Sequence, residues 1–359
     1  MRSTQPRRHR LYAESATGIR AAEPALVIDS PTLAPLRVLL TDNIMSRFAT
    51  ELNQTDSGTE WTIANTWSEQ QILAALPDTD VLVCSSMSSQ MAVRAPGLRL
   101  VHVTGAGYDK IPLADLAPGT RVSNTFHHGE AIAEHVIMTA LMLSRRVIPV
   151  DRDMRAGRWR TVANDLTVPF HGTLRGRTLG LLGFGGIGQE VARLASALGM
   201  RVRAVRYNPA GAVPGDLTLD WVGGLDDLPE LLGSSDVVVV TVPLSEATRG
   251  VIDARALRQM RPTGILINVA RGPLIDEDAL VDALTEKRIA GAALDVWWGA
   301  PSGDGAAPAA VARFADFDTV VLTPHYSGHA LRTFQLRAAD IAANVDNLAH
   351  GRPLARVVH

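Results

Sequence analysis

Cysteine, lysine and aromatic residues are scarce in this 359-residue chain. The one cysteine, Cys84, lies in the apolar run Val81-Leu-Val-Cys84, so neither a disulfide framework nor a cysteine-based zinc site can be built. That fits a reducing, cytoplasmic setting, and the thiol reads as a buried strand residue rather than a nucleophile. Lys110 and Lys287 are the only lysines, which leaves arginine to carry nearly all of the 35 positive charges. Against 37 acidic residues the net charge is −2, and the bulk electrostatic case for a nucleic-acid partner disappears. No apolar run approaches the roughly 20 residues that span a bilayer, so no membrane partner is expected. Twin arginines occur in the first ten residues, but no apolar segment follows them. Residues 1–35 read as a disordered extension.

What is present is length for two domains and a clear α/β rhythm. The central stretch is Thr178-Leu-Gly-Leu-Leu-Gly-Phe-Gly-Gly-Ile-Gly188, an apolar strand running into Gly183, Gly185 and Gly188 at G-x-G-x-x-G spacing, with an amphipathic helix behind it. Gly183 permits the tight turn, Gly185 lets backbone approach a pyrophosphate, and Gly188 lets helix and strand pack closely. The first helical amides, near Gly186 and Ile187, then face the anion. Upstream, strands are expected at Leu36 to Asp42, Trp61 to Trp67, Asp80 to Cys84 and Leu98 to Thr104. Downstream, they are expected at Arg201 to Val205, Asp236 to Thr241, Gly264 to Asn268, Ala290 to Asp295 and Thr319 to Thr323. Strands alternating with helices imply parallel sheets covered on both faces, with ligands beyond the strands' carboxyl ends. The loops Ser85-Ser-Met-Ser88 and Gly105-Ala-Gly-Tyr-Asp109 thereby become cleft candidates, the second offering backbone N–H groups to an anion. A long helix from Glu130 joins the halves, followed by a more polar one over Arg152 to Trp159. Asp276 can cap a helix that ends with Lys287 and Arg288, with Gly291 just beyond.

Three further stretches are more specific: Ile267-Asn-Val-Ala-Arg-Gly-Pro-Leu-Ile-Asp276, Gly291-Ala-Ala-Leu-Asp-Val296, and Leu322-Thr-Pro-His325 followed by Gly328. With the glycine loop, these make the chain from about Leu36 onwards resemble the D-isomer-specific 2-hydroxyacid dehydrogenases. The resemblance implies a Rossmann-type doubly wound cofactor domain, residues 127–329, inserted in a smaller flavodoxin-like α/β substrate domain, residues 36–126 and 330–359. It also implies a homodimer formed through the cofactor domains. A small carboxylate substrate would be held by Arg271 and the loop Gly105, Ala106 and Gly107, with Met87 nearby. His325 would donate a proton to a 2-oxoacid, glyoxylate-like or hydroxypyruvate-like, as it is reduced. Thr241, Pro243, Val269, Ala270 and Asp295 would join Gly183, Gly185, Gly186, Ile187 and Gly188 around the dinucleotide. Asp295 would orient the nicotinamide amide, although an aspartate at a strand end can equally cap a turn.

Two positions depart from the family's pattern. Ala300 stands where a glutamate normally pairs with the histidine, and an alanine cannot hold an imidazole tautomer; Asp304 or Glu130 would have to reach in. Formate dehydrogenases also lack that glutamate and share Asp295-Val-Trp297 and Pro324-His-Tyr-Ser-Gly328, so formate-like chemistry is an alternative. The asparagine those enzymes use is His128 here, by position. A dinucleotide-sensing binding protein without turnover is another alternative. The second departure is Arg206, where an acid normally binds the adenosine ribose; a guanidinium welcomes a 2′-phosphate, so NADP(H) is favoured over NAD(H).

Overall fold

The computed structural model describes residues 35–359 apart from Gln54, Asp56, Ser57 and Asp304. The extension expected over residues 1–35 therefore lies, Pro35 excepted, outside the described residues, as does Asp304. The first sheet contains β1 (Arg37–Leu40), β2 (Glu60–Ile63), β3 (Val81–Cys84), β4 (Leu100–Val103) and β5 (Arg121–Ser123), in the order β2-β1-β3-β4-β5. Every pairing is parallel, and the order is the flavodoxin-like one. The second contains β6 (Thr178–Leu182), β7 (Arg201–Val205), β8 (Trp221–Gly223), β9 (Val237–Val240), β10 (Ile265–Asn268), β11 (Gly291–Leu294) and β12 (Val320–Leu322). Its order, β12-β11-β10-β9-β6-β7-β8, is the doubly wound Rossmann arrangement with one strand added at the β12 edge.

Ten helices cover these sheets among the described residues: α1 (Ala49–Leu52), α2 (Glu69–Ala75), α3 (Ser89–Arg94), α4 (Gly129–Ser144), α5 (Val147–Arg155), α6 (Gly186–Ala197), α7 (Leu228–Ser234), α8 (Ala254–Gln259), α9 (Glu277–Thr285) and α10 (Leu331–Ala349). None is long and apolar enough to cross a membrane. The run Val237–Val240 shows why both faces need cover. Val238 and Val240 enter one core with α7, α8 and α9, while Val237 and Val239 enter another with α4 and α6. Successive side chains of a strand point to opposite faces, so a strand apolar at every position has no wet side. In the smaller sheet Val81 and Val83 pack with Phe334, Ala338, Ile341 and Val345 of α10, and Leu82 and Cys84 lie on the other face. Burial raises the Cys84 thiol to about 12, as expected of a structural cysteine.

The sequence expectations need several corrections. β5 (Arg-Val-Ser) and β8 (Trp-Val-Gly) are additional to the expected strands, because neither offers an apolar β-branched run such as that of the equally short β12 (Val-Val-Leu). The second strand stops at Ile63 rather than Trp67. The helix expected over Arg152 to Trp159 is α5, which begins at Val147 directly after the left-handed Arg146. Gly291 does not terminate α9: that helix ends at Thr285 and Lys287 takes the left-handed conformation, while Gly291 opens β11, where a Cβ would lie 2.3 Å from the Thr319 carbonyl. Asp276 caps α9 as expected, accepting from the Ala279 amide at 2.8 Å. After α10 the C-terminal tail runs along β5, with Val358 donating to the Val122 carbonyl and Val122 to that of His359.

Candidate active site

Loops leave the carboxyl ends of both sheets and meet at one cleft. At its cofactor end, Gly183 follows β6 with φ +107°, and a Cβ there would lie 2.7 Å from the Thr241 hydroxyl. Thr241 donates to the Gly183 carbonyl at 3.0 Å, tying the loop to the end of β9. A Cβ on Gly188 would meet the Gly183 carbonyl at 2.6 Å, whereas nothing lies within 4 Å of one on Gly185 or Gly186. The turn is therefore tight where strand and helix touch and open where a pyrophosphate needs backbone approach. Gly186 and Ile187 begin α6, whose first amides have no helical acceptors. These residues fit a dinucleotide.

Arg206 follows β7 directly. Its guanidinium lies over the Phe184 ring of the glycine loop, 5.7 Å from the ring centroid, and donates to the carbonyls of Pro209, Gly211 and Ala212. Its Nε is buried without a partner, and no acid pairs with it among the described residues. Pro243 is exposed after Thr241, and Val269 and Ala270 are buried after β10.

The substrate end forms around Arg271. Nη1 donates to the Ala270 carbonyl at 2.8 Å, and Nη2 lies 3.5 Å from the Asp109 carboxylate. A Cβ on Gly107 would fall 2.5 Å from Nη2, so the glycine loop of the smaller sheet lies directly against this guanidinium. That loop is held from behind: the Gly105 carbonyl accepts from the Thr125 amide and the Ala106 carbonyl from Asn124 Nδ2. The amides of Gly105, Ala106 and Gly107 have no hydrogen-bond partner among the described residues. Free amides beside an arginine make an anion cradle. Met87 is buried, and its amide donates to the Lys110 carbonyl, fixing the start of the same loop pair.

His325 follows β12 in the left-handed region at φ +56°, a conformation that a non-glycine residue holds only when its surroundings enforce it. Asp295 supplies that constraint. Its buried carboxylate accepts from the Tyr326 and Ser327 amides at 3.0 and 3.1 Å and from the Thr323 hydroxyl at 2.5 Å. Asp295 thus takes the turn-capping role. Burial pushes the His325 imidazole below its ordinary range, the nearby Asp295 charge opposes this, and Arg271, His329 and Lys110 add to the lowering. No carboxylate hydrogen-bonds to His325 among the described residues: Ala300 is exposed and Glu130 is exposed at the start of α4. Trp297 and Trp298 do not close over the cleft. Their rings pack on Phe314, and their indole N–H groups donate to the carbonyls of Thr323 and Ile275 at 2.9 and 2.8 Å.

Sequence reasoning missed Arg337. It lies on α10, six residues past Leu331 and far from any motif, and its Nη2 is 3.0 Å from His128 Nδ1. Of the histidine pair, His127 turns away to Asp340 at 2.8 Å, while His128 packs at 3.2 Å from where a Gly328 Cβ would lie, beside the His325 turn.

Residues 137–327 match the family model described as "D-isomer specific 2-hydroxyacid dehydrogenase, NAD binding domain". A glycerate dehydrogenase of Methylorubrum extorquens is 31% identical over 295 residues, covering 80% of this chain and 88% of the relative. A glyoxylate reductase of Thermococcus onnurineus is 32% identical over 322 residues, 88% of this chain and 93% of the relative. Among solved structures, a 2-hydroxyacid dehydrogenase from Ketogulonicigenium vulgare superposes with a TM-score of 0.75 at 28% identity, over 90% of this chain and 98% of that one.

Proposed function

Because the chain belongs to the D-isomer-specific 2-hydroxyacid dehydrogenase family, we propose that it reduces small 2-oxoacids to D-2-hydroxyacids at this cleft. The observation that carries the reading is the Arg271 guanidinium set against the unpaired amides of Gly105, Ala106 and Gly107, with His325 following β12, two strands along the same sheet from β10. A substrate carboxylate is held between fork and amides, which leaves its C2 carbonyl within reach of Arg271's remaining polarising charge. His325 protonates the C2 oxygen as the alkoxide develops, and Asp295 holds the strained turn that presents the imidazole. A bound nicotinamide supplies the hydride. Glyoxylate and hydroxypyruvate are the substrates to try first.

The preferred dinucleotide is NADP(H). Arg206, without an acid partner and stacked on Phe184 of the glycine loop, places positive charge at the adenosine end, where a carboxylate would repel a 2′-phosphate. Steady-state reduction of glyoxylate with each cofactor tests both statements. The expected result is turnover with a KM for NADPH at least about tenfold below that for NADH, the size of one charge-assisted hydrogen bond. A preference for NADH removes the cofactor assignment, and absence of turnover with any 2-oxoacid removes the function.

The working unit is a homodimer in the cytoplasm. Ile137, Met138, Leu141, Met142, Val147 and Leu198 line an apolar groove of about 610 Å³ across α4 and α6. Just beyond α5, Trp159, Leu166 and Phe170 stand 70, 98 and 88% exposed. Exposed apolar area of this kind calls for a partner, and a second copy supplies one. Light scattering is expected to give twice the 38.4 kDa chain mass, and Met138→Asp with Leu141→Asp to give the monomer. A wild-type monomer at micromolar concentration rejects the assignment.

A further inference from the structure

Asp109 is an acid at the cleft that no hydrogen-bond donor holds. Two other acids at strand ends are each fixed by three hydrogen bonds. Asp42 accepts from the Ile44 and Met45 amides and the Thr104 hydroxyl, and Asp295 from the Tyr326 and Ser327 amides and the Thr323 hydroxyl. The Asp109 carboxylate accepts no hydrogen bond among the described residues. Its side chain is 59% exposed, and its one ion-pair partner among those residues is Arg271 Nη2 at 3.5 Å. An exposed pair at that separation is weak, and a short side chain that nothing else holds can leave it.

That carboxylate lies where the substrate's is needed. A Cβ on Gly107 would fall 2.5 Å from Arg271 Nη2 and 2.8 Å from Asp109 Oδ1, so fork and acid converge on the same face of the Gly107 backbone. The face belongs to the loop whose Gly105, Ala106 and Gly107 amides are unpaired among the described residues. Arg271 Nη1 donates to the Ala270 carbonyl, and Nη2 is the arm turned towards that loop. The backbone on both sides of Asp109 is pinned: the Ile111 amide donates to the Tyr108 carbonyl, and the Met87 amide to that of Lys110. Only the side chain is free to move. The pair also crosses the cleft. Of the ion pairs among the described residues, it alone links a loop of the smaller sheet, after β4, to a loop of the larger one, after β10.

We propose that Asp109 is an internal competitor for Arg271, a mimic of the substrate carboxylate that holds the fork until a 2-oxoacid displaces it, and that it thereby sets the KM. This rests on the 2-oxoacid reductase reading and adds to it a residue that tunes the affinity of the same site. When the substrate carboxylate takes Nη2 and the loop amides, the Asp109 side chain swings towards solvent, and one ion pair replaces another. Two carboxylates cannot share the arm, because like charges at that distance repel. The apparent affinity for substrate is reduced by the fraction of molecules in which Asp109 has released Arg271. Arg271 also keeps a counter-charge whenever the cleft holds no carboxylate.

The test compares the wild type with Asp109→Asn, Asp109→Ala and Asp109→Glu, the thermal midpoint and dinucleotide Kd of each variant being checked first. Asp109→Asn and Asp109→Ala are both expected to lower the KM for glyoxylate, and the Ki of the non-reducible analogue oxamate, by about three- to tenfold, the scale of a weak exposed pair with like-charge repulsion added. The fall in KM should exceed any change in kcat, because the mimic acts on carboxylate binding. Asp109→Glu should stay closer to the wild type than either, since it keeps the charge. A residue that merely positions Arg271 gives the opposite sign, with KM raised and kcat lowered together. A KM that is unchanged or raised in stably folded Asp109→Asn and Asp109→Ala overturns the inference. Quenching of tryptophan fluorescence by oxamate, in the dinucleotide complex, reads the same competition without turnover. An inactive protein whose Asp109→Asn variant binds oxamate more tightly loses the reductase reading and keeps this one; an active protein whose variants bind it no better does the reverse.

Discussion

Replacing His325 by glutamine lowers kcat for 2-oxoacid reduction by about 10²–10⁴-fold, the usual contribution of a positioned general acid, with the dinucleotide Kd within about twofold of wild type. The wild-type pH profile carries the second half of this expectation. Burial depresses the His325 imidazole, and Arg271, His329 and Lys110 act in the same direction, with only the Asp295 charge opposing. Reduction uses the protonated ring, whose population falls as pH rises through its pKa. The kcat/KM for reduction should therefore be highest in acid and half-lost at a pH below about 6.5, the ordinary histidine value. Oxidation of the hydroxyacid uses the neutral ring and should be fully developed above that same midpoint. A midpoint at or above neutrality would mean that some carboxylate does reach the imidazole, and the role assigned to Ala300 would fail.

Arg271→Gln should cost about 10³-fold in kcat/KM for glyoxylate. The fork contributes two charge-assisted hydrogen bonds, about 1.5–3 kcal/mol each, at about 1.4 kcal/mol per tenfold. Part of the loss should fall on kcat, because the same charge stabilises the developing alkoxide. Arg271→Lys is expected to recover only a fraction, since an ammonium supplies the charge without the planar fork. The Gly107 backbone packed against Nη2 sharpens this expectation, because a guanidinium held at that distance cannot be mimicked by a flexible stem. Loss confined to KM, with kcat unchanged, would restrict Arg271 to holding the carboxylate.

Much of this site is legible in the chain itself. The glycine spacing after an apolar run marks the dinucleotide turn because Gly183 and Gly188 leave no room for a Cβ where strand and helix touch, and that requirement is local. Arg271 and His325 are legible for a related reason: each sits directly beyond a strand's carboxyl end, where open parallel sheets gather ligands. Asp295 is harder. Its motif suggests contact with cofactor, and only the folded chain shows both carboxylate oxygens committed to the Tyr326 and Ser327 amides and the Thr323 hydroxyl. Trp297 and Trp298 are ambiguous for the same reason, since a large aromatic beside a motif can face a cleft or a core until its neighbour Phe314 is known.

Runs of consecutive residues suffice for the parallel α/β architecture, the dinucleotide turn and the two residues opposite it, because strand period, glycine spacing and strand-end position are all local properties. What surrounds them is settled only in three dimensions: the turn that Asp295 locks, the amides of Gly105 to Gly107 set against Arg271, the Arg206 guanidinium laid over Phe184, and the meeting of Arg337 with His128, 209 positions apart in the chain. Hydrogen bonds and unpaired charges between distant segments leave no periodic trace in a sequence. They depend on which helix returns to which sheet, and here the return of α10 to the smaller sheet brings Arg337 to His128 and the Phe126 carbonyl.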